Sequence, residues 1–214
     1  MDTYSKNLAL FKKSKSECLN KEDMSRKGSI DDKIREIVDI INCNQYYFTT
    51  STCSGRISLI EKPVDDAGKK KGNNFLMNSH QPVELDEFVS VTNTFRKGGG
   101  TISESCLWLK FEPFILHIQC FNFMEAKKLL DIALASGCRN SGLSMGKKEK
   151  YLVAIRSTSA LEVPICCESR FEYPKNDYLE FLLHESNRRL HLNFQRLDLF
   201  QSLLREGLKQ TVRG

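Results

Sequence analysis

The chain has 214 residues, with 32 Lys and Arg against 27 Asp and Glu, a formal net charge of +5. Its 40% apolar and 28% charged residues are those of a globular chain and exclude wholesale disorder. No apolar run approaches the roughly 20 residues of a membrane span, and the charged N-terminal segment lacks the apolar stretch of a signal peptide. A soluble, cytoplasmic protein without a membrane partner is therefore expected. The mild positive charge permits an anionic partner such as RNA without requiring one. Among the eight cysteines there is no CxxC pair, and adjacent Cys166 and Cys167 suit neither a zinc site nor a redox pair. Reduced, mostly buried thiols and no metal site are expected.

In chain order, residues 5–20 read as a basic amphipathic helix with Leu8, Phe11 and Leu19 as anchors. Ser29 is a good N-cap for a second helix, with Asp31 and Asp32 in its first turn. Ile30, Ile34, Ile37, Val38 and Ile41 give that helix an apolar stripe of period 3.6. Residues 46–50 and 56–60 are strand-like, separated by a small polar loop at 51–55. Residues 63–74 form a loop with three consecutive lysines, and 75–79 another strand. Residues 84–96 are helical, with Leu85, Phe88, Val89, Thr92 and Phe95 on one face, and three glycines end the helix. Residues 105–120 are apolar and read as two strands hinged at Glu112 and Pro113. A helix over 123–135 turns Leu129, Leu130, Ile132 and Leu134 inward and stops at Gly137. Short strands follow at 143–144, 151–157 and 161–166. From Lys175 the pattern is helical almost to the end, through Leu179, Leu182, Leu183, Leu190, Phe194, Leu197, Leu203 and Leu204. The strands come in groups rather than in βαβ alternation. This predicts a single mixed α+β domain over 1–214, with flanking helices, a curled or partly barrel-like sheet and a basic helical segment at about 175–211. It is not a doubly wound sheet.

Three polar turns stand out. Residues 49–56, TTSTCSGR, place Thr50, Ser51 and Ser54 beside Gly55 and Arg56. Hydroxyls and backbone N–H groups can hold an anion or a ribose, and Arg56 can pair with carboxylate or phosphate. The same residues also suit a turn that satisfies its own backbone. Residues 136–142 flank Arg139 with glycines and add Ser141: a phosphate contact, or a helix C-cap and turn. Arg156 and Ser157 follow a strand, as a ligand clamp or a surface charge. His117 lies in apolar surroundings, where a satisfied structural histidine competes with a catalytic one. Trp108 can stack on a base or belong to the core; Glu112 can bind ligand or form a turn. His184 and His191 are seven residues apart on the last helix, too far for a compact metal pair. There is no GxGxxG after a strand, no phosphate loop and no nucleophile elbow.

Five blocks, taken together, carry a resemblance: Ser25 to Asp31, Thr49 to Arg56, the LKFEPFILH run of 109–117, residues 136–142, and AIRST at 154–158 with LEVP at 161–164. In this order, over about residues 18–185, the chain resembles the family of tRNA wybutosine-synthesising protein three. Phe75 stands where the family usually has Trp, and Thr52 where Ser is usual. The resemblance implies transfer of a methyl group from S-adenosylmethionine to N4 of the tricyclic guanine derivative beside the anticodon of phenylalanine tRNA. It implies a donor site unlike that of Rossmann methyltransferases. It marks His117 as base or base-orienting residue. Thr50, Ser51, Ser54 and Arg56, with Trp108, Glu112, Ser141 and Ser157, become pocket residues, and Arg139 and Arg156 contacts to phosphate or donor carboxylate. Lys69, Lys70, Lys71, Lys147 and Lys148 become tRNA phosphate contacts, with a tail whose residues 188–214 hold six Lys and Arg against two Asp and Glu. The alternative is a non-catalytic RNA- or nucleotide-binding module using the same basic turns.

Overall fold

The computed structural model describes residues 3–20, 29–63, 73–99, 105–147, 150–167 and 173–209. The elements are α1 (Thr3–Leu19), α2 (Asp32–Cys43), β1 (Tyr47–Pro63), β2 (Asn74–Ser79), α3 (Leu85–Thr94), β3 (Ser105–Cys120), α4 (Phe123–Ala135), β4 (Gly142–Gly146), β5 (Lys150–Arg156), β6 (Leu161–Cys167) and α5 (Asn176–Lys209). The strands form one antiparallel six-stranded sheet in the order β2-β1-β3-β5-β4, with β6 also pairing β3. The mixed α+β expectation is met. The sheet is open, so the curling does not reach a closed barrel.

Two expected breaks are absent. Residues 47–63 form one strand, so the Ser/Thr-rich segment is strand rather than loop. β-Branched Thr49, Thr50 and Thr52 favour extended backbone, and Gly55 supplies a left-handed φ of 99° that a side chain would strain. Residues 105–120 are likewise continuous, with no hinge at Pro113. β6 pairs residues 106–111 of β3 and β5 pairs 115–120. Pro113 falls between the stretches of β3 that pair β6 and β5. The second helix starts at Asp32 with Asp31 as N-cap, two residues beyond Ser29.

The chain divides into two compact units. The first holds residues 1–54, 114–158 and 194–214; the second holds 55–113 and 159–193. In the first, the α2 stripe of Ile34, Ile37, Val38 and Ile41 packs with Ala126, Leu129 and Ala133 of α4 and Leu197, Phe200 and Leu204 of α5. The same core takes Leu116 and Ile118 of β3 and their register partners Ile155 and Val153 of β5. Each such side chain contributes about 1.5–3 kcal/mol when fully buried. Leu134, expected inward, is exposed: it sits on the outer edge of the α4 stripe. The α4 end does follow the sequence: Gly137 takes φ 84°, its N–H donates to the Leu134 carbonyl, and the Cys138 N–H donates to that of Ala133. Phe11 anchors α1 through rings of Phe48 and Phe121, 5.2 and 5.6 Å away.

In the second unit Ile57, Leu59, Phe88, Leu107, Leu109, Phe111, Leu179 and Leu190 are buried. Buried Glu61 accepts from Ser105 Oγ and Asn74 Nδ2, both at 3.1 Å. Asn187 of α5 exchanges two hydrogen bonds with the backbone of Val83. Cys106 and Cys167, register partners on β3 and β6, are joined by a disulfide. That corrects the expectation of eight reduced thiols. The pairing register alone brings these two residues together, and spacing along the chain does not reveal it. The other six cysteines form no disulfide, and of these Cys120, Cys138 and Cys166 are buried.

Candidate functional site

Alternation along β3 decides what the first unit shows outward. Phe114, Leu116, Ile118 and Cys120 are buried in the core, so His117 points to the opposite face. On β5, Val153 and Ile155 are in the core, which turns Ala154 and Arg156 the same way as His117. His117 stands opposite Ala154, and Arg156 is its diagonal neighbour, within reach of a long side chain. The Arg156 Nη2 lies 3.1 Å from His117 Nε2. Two donors cannot face each other there, so Nε2 accepts and the ring carries its proton at Nδ1. Burial lowers the His117 pKa below its ordinary value, and the Arg156 charge lowers it further. The imidazole is therefore neutral at pH 7.

Two hydroxyls close the cluster. Thr50, exposed on β1, donates through Oγ1 to the His117 carbonyl at 3.2 Å. Ser141 Oγ accepts from the Arg156 backbone N–H at 3.1 Å. Arg139 and Ser51 are exposed. Thus Thr50, His117, Ser141 and Arg156, spread over 107 positions of sequence, form one connected polar group on the first unit. Ser54 and Ser157 are buried instead. Ser54 donates from both N and Oγ to Oδ2 of Asp31, at 2.9 and 3.0 Å. Ser157 Oγ accepts from Arg196 of α5. Sequence reading missed Arg196 because its partner is 39 residues away, on a different element.

The second unit holds the other candidates. Arg56 Nε donates to Glu112 Oε2 at 2.6 Å, and its guanidinium lies 5.7 Å from the Phe75 ring centre. Trp108 is half-buried, with Lys62 Nζ 4.3 Å above its ring. Lys62 and Lys110 both meet Glu162 Oε1 at 2.8 Å. Burial raises the Glu162 pKa, but these two lysines outweigh it and hold the carboxyl below its ordinary value. His80 Nδ1 is 2.8 Å from the Gly55 carbonyl oxygen. His184 and His191 are exposed on α5. Lys147 is exposed; Lys69, Lys70, Lys71 and Lys148 lie outside the described residues. A surface groove of about 410 Å³ is lined by Met124, Lys127, Lys128, Asp131, Ile132 and Gly207, and none of the candidate residues reaches it. Among the described residues no helix is long and apolar enough to cross a membrane.

Known proteins share this arrangement of elements. The PH1069 protein from Pyrococcus horikoshii superposes with a TM-score of 0.77 at 28% identity, covering 92% of this chain and 97% of its own. A hypothetical protein from Aeropyrum pernix gives a TM-score of 0.66 at 27% identity, covering 83% and 98%. A mouse protein named tRNA wybutosine-synthesizing protein 3 homolog is 37% identical over 203 residues, 94% of this chain and 76% of its own. A Thermococcus sibiricus protein named tRNA(Phe) 7-((3-amino-3-carboxypropyl)-4-demethylwyosine(37)-N(4))-methyltransferase is 32% identical, covering 92% and 94%. The family model described as Methyltransferase TYW3 matches residues 10–206. The class is thus a methyltransferase built on an open antiparallel sheet rather than a doubly wound one. The chain belongs to the methyltransferase TYW3 family.

Proposed function

We propose that this protein methylates N4 of the tricyclic wybutosine precursor next to the anticodon of phenylalanine tRNA, using S-adenosylmethionine. The observation that carries the reading to particular atoms is the Arg156–His117 contact on the open face of the first unit. The family and the name of the archaeal relative support the reaction. Both units act as one methyltransferase domain in this reading, in line with a family match that spans residues of each.

The donor set suits the polar parts of an amino-acid nucleoside. A guanidinium at Arg156 fits a carboxylate, and the exposed hydroxyls of Thr50 and Ser51 fit a ribose. When bound, S-adenosylmethionine supplies an electrophilic methyl group on a positively charged sulfur. The residues of this chain have three tasks. Arg156, with Arg139 beside its turn, binds the carboxylate or a phosphate. Thr50, Ser51 and Ser141 orient what is bound and hold it in reacting geometry. His117 accepts the acceptor's N–H proton at Nε2 once Arg156 turns from that atom to an anionic ligand; its lowered pKa keeps the ring neutral for this step. Ser54 supports the site by fixing Asp31, and Ser157 by fixing the end of β5. On the second unit, Arg56, Glu112 and Trp108 contact the tRNA from within their existing pairs. Lys147, Lys148 and the run Lys69, Lys70, Lys71 meet phosphates, a sequence-independent and salt-sensitive contribution. The protein acts in the cytoplasm.

Calorimetric titration with S-adenosylhomocysteine, followed by methyl transfer to precursor-bearing tRNA, tests the reading. Donor-product binding and a mass gain of one methyl on the precursor are expected. Tight tRNA binding without either would leave the RNA-binding module as the correct description.

A further inference from the structure

We infer that Arg196 is a positioning residue that holds the two rims carrying Arg156 and Ser141 in one arrangement. The inference rests on the proposed chemistry at the open face of the first unit. Arg196 stands on α5 and is partly buried. Its Nη1 donates to Ser157 Oγ, the residue directly after Arg156. Ser157 is 5% exposed, so this bond is made away from bulk water.

The same guanidinium lies against the other rim. A Cβ built on Gly137 would sit 3.6 Å from Arg196 Nε, and Gly137 holds the left-handed conformation that ends α4. The chain then runs through Cys138, whose buried thiol feels the Arg196 charge, to Arg139 and Ser141. A backbone bond from the Ser141 N–H to the Cys138 carbonyl, 3.1 Å, makes that turn rigid. Ser141 Oγ in turn accepts from the Arg156 N–H. The β5 end and the α4–β4 turn thus meet twice: at the Ser141–Arg156 bond and at Arg196. A planar, always-charged guanidinium suits this place, because one N–H group bonds Ser157 while its Nε edge packs beside Gly137. Lysine offers a point charge on a flexible stem and would hold one rim at a time. Arg196 acts through Ser157 and the Gly137 turn.

The test compares Arg196→Ala, Arg196→Lys, Ser157→Ala and the Arg196→Ala/Ser157→Ala double variant in the full chain. Three quantities are read: thermal unfolding, single-turnover methylation per folded molecule, and the titration of the His117 ring protons by NMR. Arg196→Ala should slow methylation about 10- to 100-fold, the scale of small misplacements at a reacting centre. Arg196→Lys should restore part of that loss. Ser157→Ala should act in the same direction, and the double variant should be no slower than Arg196→Ala alone. The His117 pKa should move upward as Arg156 leaves it. A lower unfolding temperature with wild-type methylation per folded molecule and an unchanged His117 titration would overturn the inference and leave Arg196 as packing. Should the wild-type protein bind no donor product, the methyl-transfer reading fails, and the His117 titration still decides the role of Arg196.

Discussion

The Arg156 site of the first unit and the Arg56 site of the second hold their guanidinium groups in different ways. In the first, Arg156 meets a neutral His117, and the pair faces outward. In the second, cations are matched to carboxylates: Arg56 with Glu112, Lys62 and Lys110 with Glu162, Arg188 and Arg189 with Glu185. A guanidinium held by an imidazole gives up that neutral partner for an anion at little electrostatic cost. One held by a carboxylate must break an ion pair first. On the proposed function the Arg156 site is the one suited to an anionic group, whereas elsewhere both units pair cations with carboxylates, as Lys33 with Asp198 and Lys127 with Asp131 in the first.

That contrast can be broken from the second unit first. Reducing Cys106–Cys167, or changing both residues to Ser, removes a cross-link that spans 61 positions. On chain-entropy grounds the loss is about 4 kcal/mol, read as a lower denaturant midpoint with reductant; an unchanged midpoint would mean that register alone holds β6 to β3. Next comes Arg156→Ala. It should cut the methylation rate by about 10²-fold or more, in the range of lost charge-stabilising donors, while stability stays within about 0.5 kcal/mol, as for an exposed side chain. A large loss of stability would place Arg156 among the structural pairs. Asp31→Ala removes the carboxylate that accepts from Ser54 N–H and Oγ and should cost about 1–3 kcal/mol, measured by thermal unfolding.

Two pH effects are smaller. The His117 pKa is lower folded than its ordinary 6.5, so the unfolded chain binds more protons just below that value. Its contribution is fully present above pH 6.5 and is lost as pH falls through the window below it. Unfolding followed from pH 7.5 to 5 should show this slope, and His117→Gln should flatten it. Glu185 is held down to about 2 by hydrogen bonds from Arg188 and Arg189. Its contribution is present above the ordinary 4.5 and fades as pH falls toward 2. At this partly exposed site the change should be the smallest of the set, read as a small stability advantage of wild type over Glu185→Gln that is present at pH 7 and shrinks as pH falls toward 2.

Helices were legible in the sequence because burial imposes a period. Ile34, Ile37, Val38 and Ile41 on α2, and Leu179, Leu182, Leu183, Leu190, Leu197 and Leu204 on α5, are buried as their spacing demands. Strand boundaries were less legible. Polar Ser and Thr between apolar runs look like a turn, yet Thr50 and Ser51 stay extended with their side chains in solvent. The cluster was readable as types but not as a set. Polar turns at 49–56, 136–142 and 154–158 drew notice individually. Only the β3–β5 register makes His117 and Arg156 neighbours, and only the same kind of pairing joins Cys106 to Cys167. Arg196 had no signal at all, since a charge on an amphipathic helix looks alike whether it faces water or a buried hydroxyl.

Pro113 also acts as punctuation for assembly. Two strands must dock on separate stretches of β3, β6 over 106–111 and β5 over 115–120. A strand that slid past its allotted stretch would meet a position with no N–H to offer and a ring in the way. The proline thus penalises mispairing in both directions and separates the two docking sites while the chain is still searching for its register.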